Sequence, residues 1–236
     1  MKTSGAILFA FLCLSPAVLP ALPVEVGLTT SGGLCFTAGS YLDARAADLA
    51  LQGATGATMG SSRTLLFPGI SAGAFTEVGI LPWLDLRAEI RASYLGASRL
   101  ASTGAGAPLD AYSIGYYTIM VPILARAVFP AGPGRVAIGA GPLYALVVGG
   151  IQVSDAYPGI TSTTNVPTSF TDGSMFGITA DVGYDVTLGP GILGVAVHVD
   201  ALLSPGTLTT SLASGSIMPL ATTISVTYGL VFGGGR

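Results

Sequence analysis

Charged residues are scarce in this chain of 236 residues, which contains 9 Lys and Arg, 12 Asp and Glu, and one His. Charged residues make up 9% of the sequence, whereas roughly 25% is typical of a soluble domain. Half of the residues are hydrophobic, and the mean hydropathy is +0.71. This composition excludes an ordinary soluble domain.

Basic residues and cysteines are also few. Lys2 is the only lysine and the formal net charge is −3, so the chain has no basic patch for nucleic acid. Of the two cysteines, Cys13 lies in an apolar N-terminal segment. Once that segment is removed, Cys35 remains alone, which excludes an internal disulfide and a metal site built on paired cysteines.

The N-terminus has the pattern of a signal peptide. Lys2 supplies the positive charge, residues 5–14 form the apolar core, and small residues follow. We predict a signal peptide over 1–21, cleaved after Ala17 or Ala21, and a single domain over 22–236. A buried N-terminal helix is the alternative.

The stretch 176–203 has the clearest periodicity in the chain. On both sides of Gly189-Pro190, apolar residues alternate with small, polar or charged residues. A period of two predicts β-strands, because successive side chains point to opposite faces. Each arm has about a dozen residues, longer than the ~5–6 of a globular strand and sufficient for the ~9–11 that cross a bilayer.

The same alternation predicts eight strands along the chain. Their approximate bounds are 24–36, 69–80, 84–94, 112–129, 135–148, 176–188, 191–203 and 223–232. Three short turns at 81–83, 130–134 and 189–190 alternate with four long loops at 39–64, 96–110, 150–174 and 204–221.

This alternation of short and long connections predicts an all-β fold, an eight-stranded antiparallel up-and-down transmembrane β-barrel. Its short turns would face the periplasm and its four longer loops the cell exterior. A helical membrane protein is the alternative, because 136–154 is uncharged and long enough to cross a bilayer. Pro122 is unusual in a strand, since it lacks a backbone donor and normally lies at an edge or a bulge.

Aromatic residues cluster near both ends of the predicted strands, as in the girdles of membrane barrels. The turn-end set is Trp83, Phe129, Tyr184 and Phe232, and the loop-end set is Phe36, Tyr94, Tyr112 and Phe176.

Most of the charge falls on the face that alternation directs into the barrel. These residues are seven acids, Glu25, Glu77, Asp85, Glu89, Asp181, Asp185 and Asp200, and four arginines, Arg87, Arg91, Arg126 and Arg135. Tight turns would place Glu77 opposite Arg87 and Asp181 opposite His198. We interpret the charges as a structural network, because eight strands enclose room for side chains or one small ligand, and we expect no open pore.

His198 is the only candidate for catalysis or metal binding. It could act with Asp181 or Asp200 and a hydroxyl, but the nearest predicted inward hydroxyls, Thr179 and Thr187, are poorly placed as nucleophiles. A metal site at Asp181, His198 and Asp200 has suitable ligand types, but a structural buried histidine is the simpler interpretation. We therefore expect no cofactor and no enzymatic activity.

Two segments resemble a known family. AGAFTEVGILPWLDLRAEI (72–90) and the region from MVPILARAVF to AIGAGPLYAL (120–146) are similar to hairpins of small outer-membrane barrels of the porin-family or PorT-like type, related in form to OmpX and the OmpA membrane domain. At Met120 the family carries Glu.

The resemblance implies residence in the cell outer membrane, contact with its lipid and insertion by the barrel-assembly machinery. We expect a monomer with a surface role for the loops. A lipid-modifying enzyme and a narrow porin for small solutes are the alternatives.

Overall fold

The computed structural model describes most of the chain from residue 22 onward. The described residues are 22–38, 40, 59–65, 67–103, 108–157, 160–166, 169–172, 174–204, 206–209 and 214–233. The predicted signal peptide at 1–21 lies outside them.

Eight long strands form the barrel. They are β1 Val24–Ala38, β3 Phe67–Leu81, β4 Leu84–Thr103, β5 Pro108–Ala131, β6 Gly134–Tyr157, β9 Ser174–Leu188, β10 Gly191–Leu202 and β12 Ser214–Phe232. Four shorter strands extend the sheet at one end: β2 Met59–Leu65, β7 Ile160–Val166, β8 Ser169–Asp172 and β11 Gly206–Thr209.

The eight long strands close on themselves. Each pairs antiparallel with the next, in the order β1-β3-β4-β5-β6-β9-β10-β12, and β12 pairs with β1 from Val24↔Phe232 to Ala38↔Met218. Closure leaves no long strand as an open edge, which a spanning sheet requires in hydrocarbon. The predicted eight-stranded antiparallel barrel is confirmed.

Three two-residue turns connect strands at one end of the barrel. Pro82-Trp83 joins β3 to β4, Gly132-Pro133 joins β5 to β6, and Gly189-Pro190 joins β9 to β10. Gly132 and Gly189 have φ of 59° and 60°, the left-handed conformation that a type II′ turn needs at its first position. Proline then suits the second position because its φ is fixed near −65°.

The predicted alternation between the two faces is confirmed. The outside carries a belt of exposed aliphatic residues, which includes Leu28, Ile90, Ile138, Val182, Val197 and Ile224. The aromatic residues Trp83, Phe129 and Phe232 are exposed at the turn end, and Phe176 is exposed toward the opposite end. Lipid is the environment that such a belt fits.

The predicted long loops are partly strand, because most of the predicted strands were too short at their loop ends. In the region 96–110, β4 continues to Thr103 and β5 begins at Pro108. Strand β2 overlaps the predicted loop 39–64 and pairs with β4. Strand β7 lies within 150–174 and pairs with β6, and β11 lies within 204–221 and pairs with β12. Serine and threonine fill these segments and hid the periodicity, although threonine itself favours strands.

The helical alternative is wrong, because residues 136–154 form part of β6. Among the described residues, no helix is long and apolar enough to cross a membrane.

Pro122 lies inside β5 rather than at an edge or a bulge. The β4–β5 register keeps one alignment on both sides of it, with Ala88↔Ile123 and Arg91↔Met120, but the two positions between are unpaired. A local gap in one ladder therefore accommodates the missing donor.

Candidate functional site in the barrel interior

Arg126 is the centre of the charged interior. Its guanidinium contacts Glu77 at 2.5 Å and Asp181 at 3.1 Å, and it lies 3.8 Å from Asp185. The residue is 1% exposed. Strands β3 and β9 are not neighbours in the sheet. Arg126, on β5, therefore links two strands that no backbone hydrogen bond joins directly.

Arg135 closes the charged cluster at the turn end of the barrel. It donates to Asp85 at 3.1 Å, to Glu77 at 2.9 Å and to Asp185 at 3.1 Å, and it lies 3.6 Å from Glu25. Its side chain is 17% exposed, so it is the wettest arginine of the network. It therefore lies between the charged network and the solvent at the turn end of the barrel.

Arg87 lies between the acids of its own hairpin. Its Nε donates to Glu89 at 2.6 Å, and Nη1 is 3.6 Å from Glu77. The guanidinium carbon stacks 3.8 Å from the ring centroid of Phe75. A cation above a desolvated ring face adds to the ion pairing.

Arg91 forms the layer nearest the loop end. Its Nη2 donates to both carboxylate oxygens of Asp200 at 3.0 Å, and Nε lies 3.4 Å from Glu89. Thr179 donates to Asp200 at 2.6 Å. Charge-assisted pairs of this kind are about twice as strong as neutral hydrogen bonds.

All seven acids and four arginines assigned to the interior from sequence point inward, and ten of the eleven are buried, with Arg135 partly exposed. The structure brings Glu77, Asp85, Arg126, Asp181 and Asp185 together around the turn-end half. Arg87, Glu89, Arg91 and Asp200 lie in the middle of the barrel, next to His198. With His198 neutral, four arginines against seven acids leave an excess of three negative charges.

His198 lies in register between two polar residues. Asp181 on β9 is its cross-strand partner on one side, as predicted, and Thr223 on β12 is its partner on the other. Thr223, rather than the predicted Thr179 or Thr187, is thus the hydroxyl directly across from the histidine. His198 is 1% exposed, and its Nδ1 has no hydrogen-bond partner among the described residues.

The expected absence of a metal site stays a prediction. Among the residues that the structure describes, no group of three His, Cys, Asp or Glu side chains has the arrangement that would hold a metal ion.

The sequence reasoning missed an apolar layer that fills the interior on the loop side of the charges. It consists of Leu95, Tyr116, Met120, Leu143, Met175, Leu202 and Ile217, all buried. A signal for it exists in β6, where 143–148 is apolar on both faces. A strand that loses its alternation without gaining charge must bury both faces, one against lipid and one against the interior.

Comparison with known proteins supports the fold and little else. No family model matches the chain, and no curated protein matches it. Among solved structures, the outer membrane protein OprG from Pseudomonas aeruginosa matches with a TM-score of 0.52 and 9% identity, over 90% of this chain and 96% of that one.

Two further matches are more distant. They are Ail, the attachment invasion locus protein of Yersinia pestis (TM-score 0.35, 8% identity, 87% of this chain and 98% of that one), and the outer membrane protease OmpT from Escherichia coli (TM-score 0.40, 10% identity, 91% and 98%). The similarity to OprG shows the shared fold of small outer-membrane β-barrels. Because a closed antiparallel barrel with an apolar outer belt is the form in which β-sheets cross outer membranes, the chain is an integral outer-membrane protein.

Proposed function

We propose that this protein is a non-conducting, non-enzymatic barrel that anchors projecting β-structure at the cell surface. The main observation behind this proposal is that side chains fill the barrel interior. Arg91 and Arg126 cross it as buried ion pairs, and the apolar layer lies above them. A hydrated ion would have to displace both layers, and an eight-stranded barrel leaves no second route.

The length of the strands supports the surface role. Strands β5 and β6 have 24 residues each, about 80 Å at ~3.3 Å per residue. At a tilt of ~40°, that length exceeds the ~30 Å hydrocarbon core about twofold. Because β2, β7, β8 and β11 join the sheet at this same end, paired backbone continues beyond the bilayer.

Two measurements test the proposal. In planar bilayers, the refolded full chain should give no conductance steps above those of a protein-free membrane, and discrete steps would refute the filled interior. Folding is verified in the same preparation by gel migration that changes on boiling.

Cysteine labelling tests which end projects. Thr207→Cys in β11 should react with a membrane-impermeant maleimide on intact cells, since Thr207 is exposed. Pro82→Cys, in the turn between β3 and β4, should react only after the outer membrane is permeabilised. Cys35 is buried and should contribute no background. Labelling of the turn on intact cells, with Thr207→Cys protected, would refute the orientation.

The row Asp181–His198–Thr223 favours a second candidate, acyl transfer or hydrolysis on a membrane lipid. The three residues occupy adjacent strands in register. Against it, His198 and Thr223 are 1% and 6% exposed and make no hydrogen bond to each other among the described contacts. Acyl release from lipid A by the folded protein, abolished in His198→Ala, would establish the enzyme and overturn the anchor proposal.

We also propose that the chain is a monomer, that outer-membrane lipid is its immediate partner and that the barrel-assembly machinery inserts it. The continuous apolar belt supports lipid contact around the whole barrel.

A further inference from the structure

A row of hydroxyl groups crosses four strands of the interior between the Arg91–Asp200 pair and the apolar layer. Ser93, Ser71, Ser31 and Ser225 are successive cross-strand partners on β4, β3, β1 and β12. Alternation directs all four inward, although a lumen filled only by ion pairs and apolar side chains would not need them. We call these residues the serine row.

A cavity lies beside the serine row. It offers about 10 Å³ to the centre of a water-sized sphere, and the polar and charged side chains that line it are Ser31, Ser71, Ser93, Asp200 and Thr223. This volume is just sufficient for one water molecule. Apolar residues, among them Leu95, Met120 and Ala221, complete the lining.

Two hydroxyls that line the cavity have no hydrogen-bond partner among the described residues. They are Ser93 Oγ and Thr223 Oγ1, on residues that are 4% and 6% exposed. Ser31 and Ser71 bond each other at 2.6 Å. Since only one of these two can donate in that bond, the other retains a proton to donate. A buried polar group without a partner destabilises the fold, because it has lost its hydrogen bonds to water.

Asp200 supplies the acceptor that completes the site. Its carboxylate receives Arg91 on both oxygens and Thr179 on Oδ1. A carboxylate has about four acceptor sites, so one remains for a further donor.

We propose that this cavity binds a single structural water molecule, which accepts hydrogen bonds from the hydroxyls of Ser93 and Thr223 and donates one to Asp200. Water fits better than a cation because Arg91 already neutralises Asp200, with Nη2 donating to both carboxylate oxygens. The water joins the ion-pair layer to the serine row.

The test uses the full chain refolded in lipid nanodiscs. Water-to-protein cross-relaxation in NMR spectra should show a long-lived water at the backbone amides of Ser93 and Thr223. Thr223→Val should abolish this signal and lower the urea midpoint of unfolding. Thr222→Val, the same change one residue away on the lipid-facing side, should retain the signal.

Ser93→Ala is the second variant and keeps the proposal testable if Thr223→Val does not fold. It should also weaken the water signal and lower the midpoint. A rise in midpoint in either variant would mean that the removed hydroxyl had been unpaired and the cavity dry, which overturns the proposal. Replacement of sodium by potassium or choline should change nothing, and a midpoint that depends on the cation would replace water with a bound ion.

Discussion

Glu77 and Arg126 meet across the interior at 2.5 Å, although they belong to β3 and β5, which are separated by β4. Glu77 also contacts Arg135 at 2.9 Å and lies 3.6 Å from Arg87, so one carboxylate serves three arginines. The side chain of Glu77 is fully buried. This pair therefore ties the two walls of the turn-end half together.

Arg126→Met should destabilise the barrel by roughly 3–5 kcal/mol, because it leaves Glu77 and Asp181 as buried charges without this partner. Unfolding by guanidinium in lipid vesicles measures the change. The fluorescence of Trp83, the only tryptophan, is the probe. Gel migration before and after boiling checks that the variant folds.

Arg135→Met is the matched control for that substitution. Its side chain is 17% exposed against 2% for Arg126, so water replaces much of the lost interaction and the destabilisation should be smaller. Equal losses at both positions would contradict the assignment of Arg126 as the centre of the network.

Tyr94 packs over Gly115 on the adjacent strand, and a Cβ atom at Gly115 would overlap the phenol group. The Tyr94 ring also lies 5.0 Å from that of Tyr117, tilted by 49°. Gly115→Ala should therefore displace the hydroxyl end of Tyr94 and destabilise the barrel by about 1 kcal/mol, the low end for overpacking, because Tyr94 is only half-buried. The same guanidinium unfolding measures it.

Gly32→Ala on β1 is the control for Gly115→Ala, because a Cβ atom there meets nothing within 4 Å. It should leave the unfolding midpoint unchanged or raise it slightly. In the background Tyr94→Ala, Gly115→Ala should lose most of its effect. Additive losses would show that the phenol does not cause the restriction.

The sequence was sufficient to predict contacts between neighbouring strands, since strand period and turn length fix register. Glu77↔Arg87 and Asp181↔His198 are in register as expected. It was not sufficient to predict which arginine binds which acid. The shortest contact of Glu77 is with Arg126 on a non-adjacent strand, and such pairs depend on barrel curvature and side-chain reach.

The apolar layer was missed for a different reason. Leu143 is apolar and faces inward, but its outward-facing neighbours Pro142 and Tyr144 are not charged either. The local alternation of residue types therefore does not show which of the three faces inward. Its direction follows only from counting along β6 from Arg135, or from the register of β6 with β9, where Leu143 faces Gly177. The periodicity of one strand cannot supply this information when both of its faces are apolar.

Met120 offers a test of how complete the charge network is. It lies directly opposite Arg91 across the β4–β5 pair and is 2% exposed. Met120→Glu would place an eighth carboxylate beside Arg91, in an interior where seven acids already outnumber four arginines. We expect destabilisation of roughly 3 kcal/mol, as for an uncompensated buried charge, measured by guanidinium unfolding.

Met120→Leu is its control and should cost less than about 1.5 kcal/mol, because volume and polarity are conserved. Stabilisation by Met120→Glu would mean that the free donors of Arg91 outweigh the excess of acids in the interior.

The outer belt predicts that the cost of introducing a charge depends on its depth in the membrane, even within the single hairpin of β9 and β10. Val197 lies in the middle of β10 and Leu188 lies at the end of β9, beside the turn, and both are exposed to the outside. Val197→Arg should cost about 2–4 kcal/mol, the value for an arginine at the bilayer midplane. Leu188→Arg should cost about 0–1 kcal/mol, because the guanidinium reaches the interface.

The difference is measured in vesicles by unfolding titrations, and it should shrink in detergent micelles, where water is closer to Val197. Equal costs at both positions in vesicles would contradict a membrane-spanning hairpin, since no other solvent distinguishes two equally exposed aliphatic residues by depth.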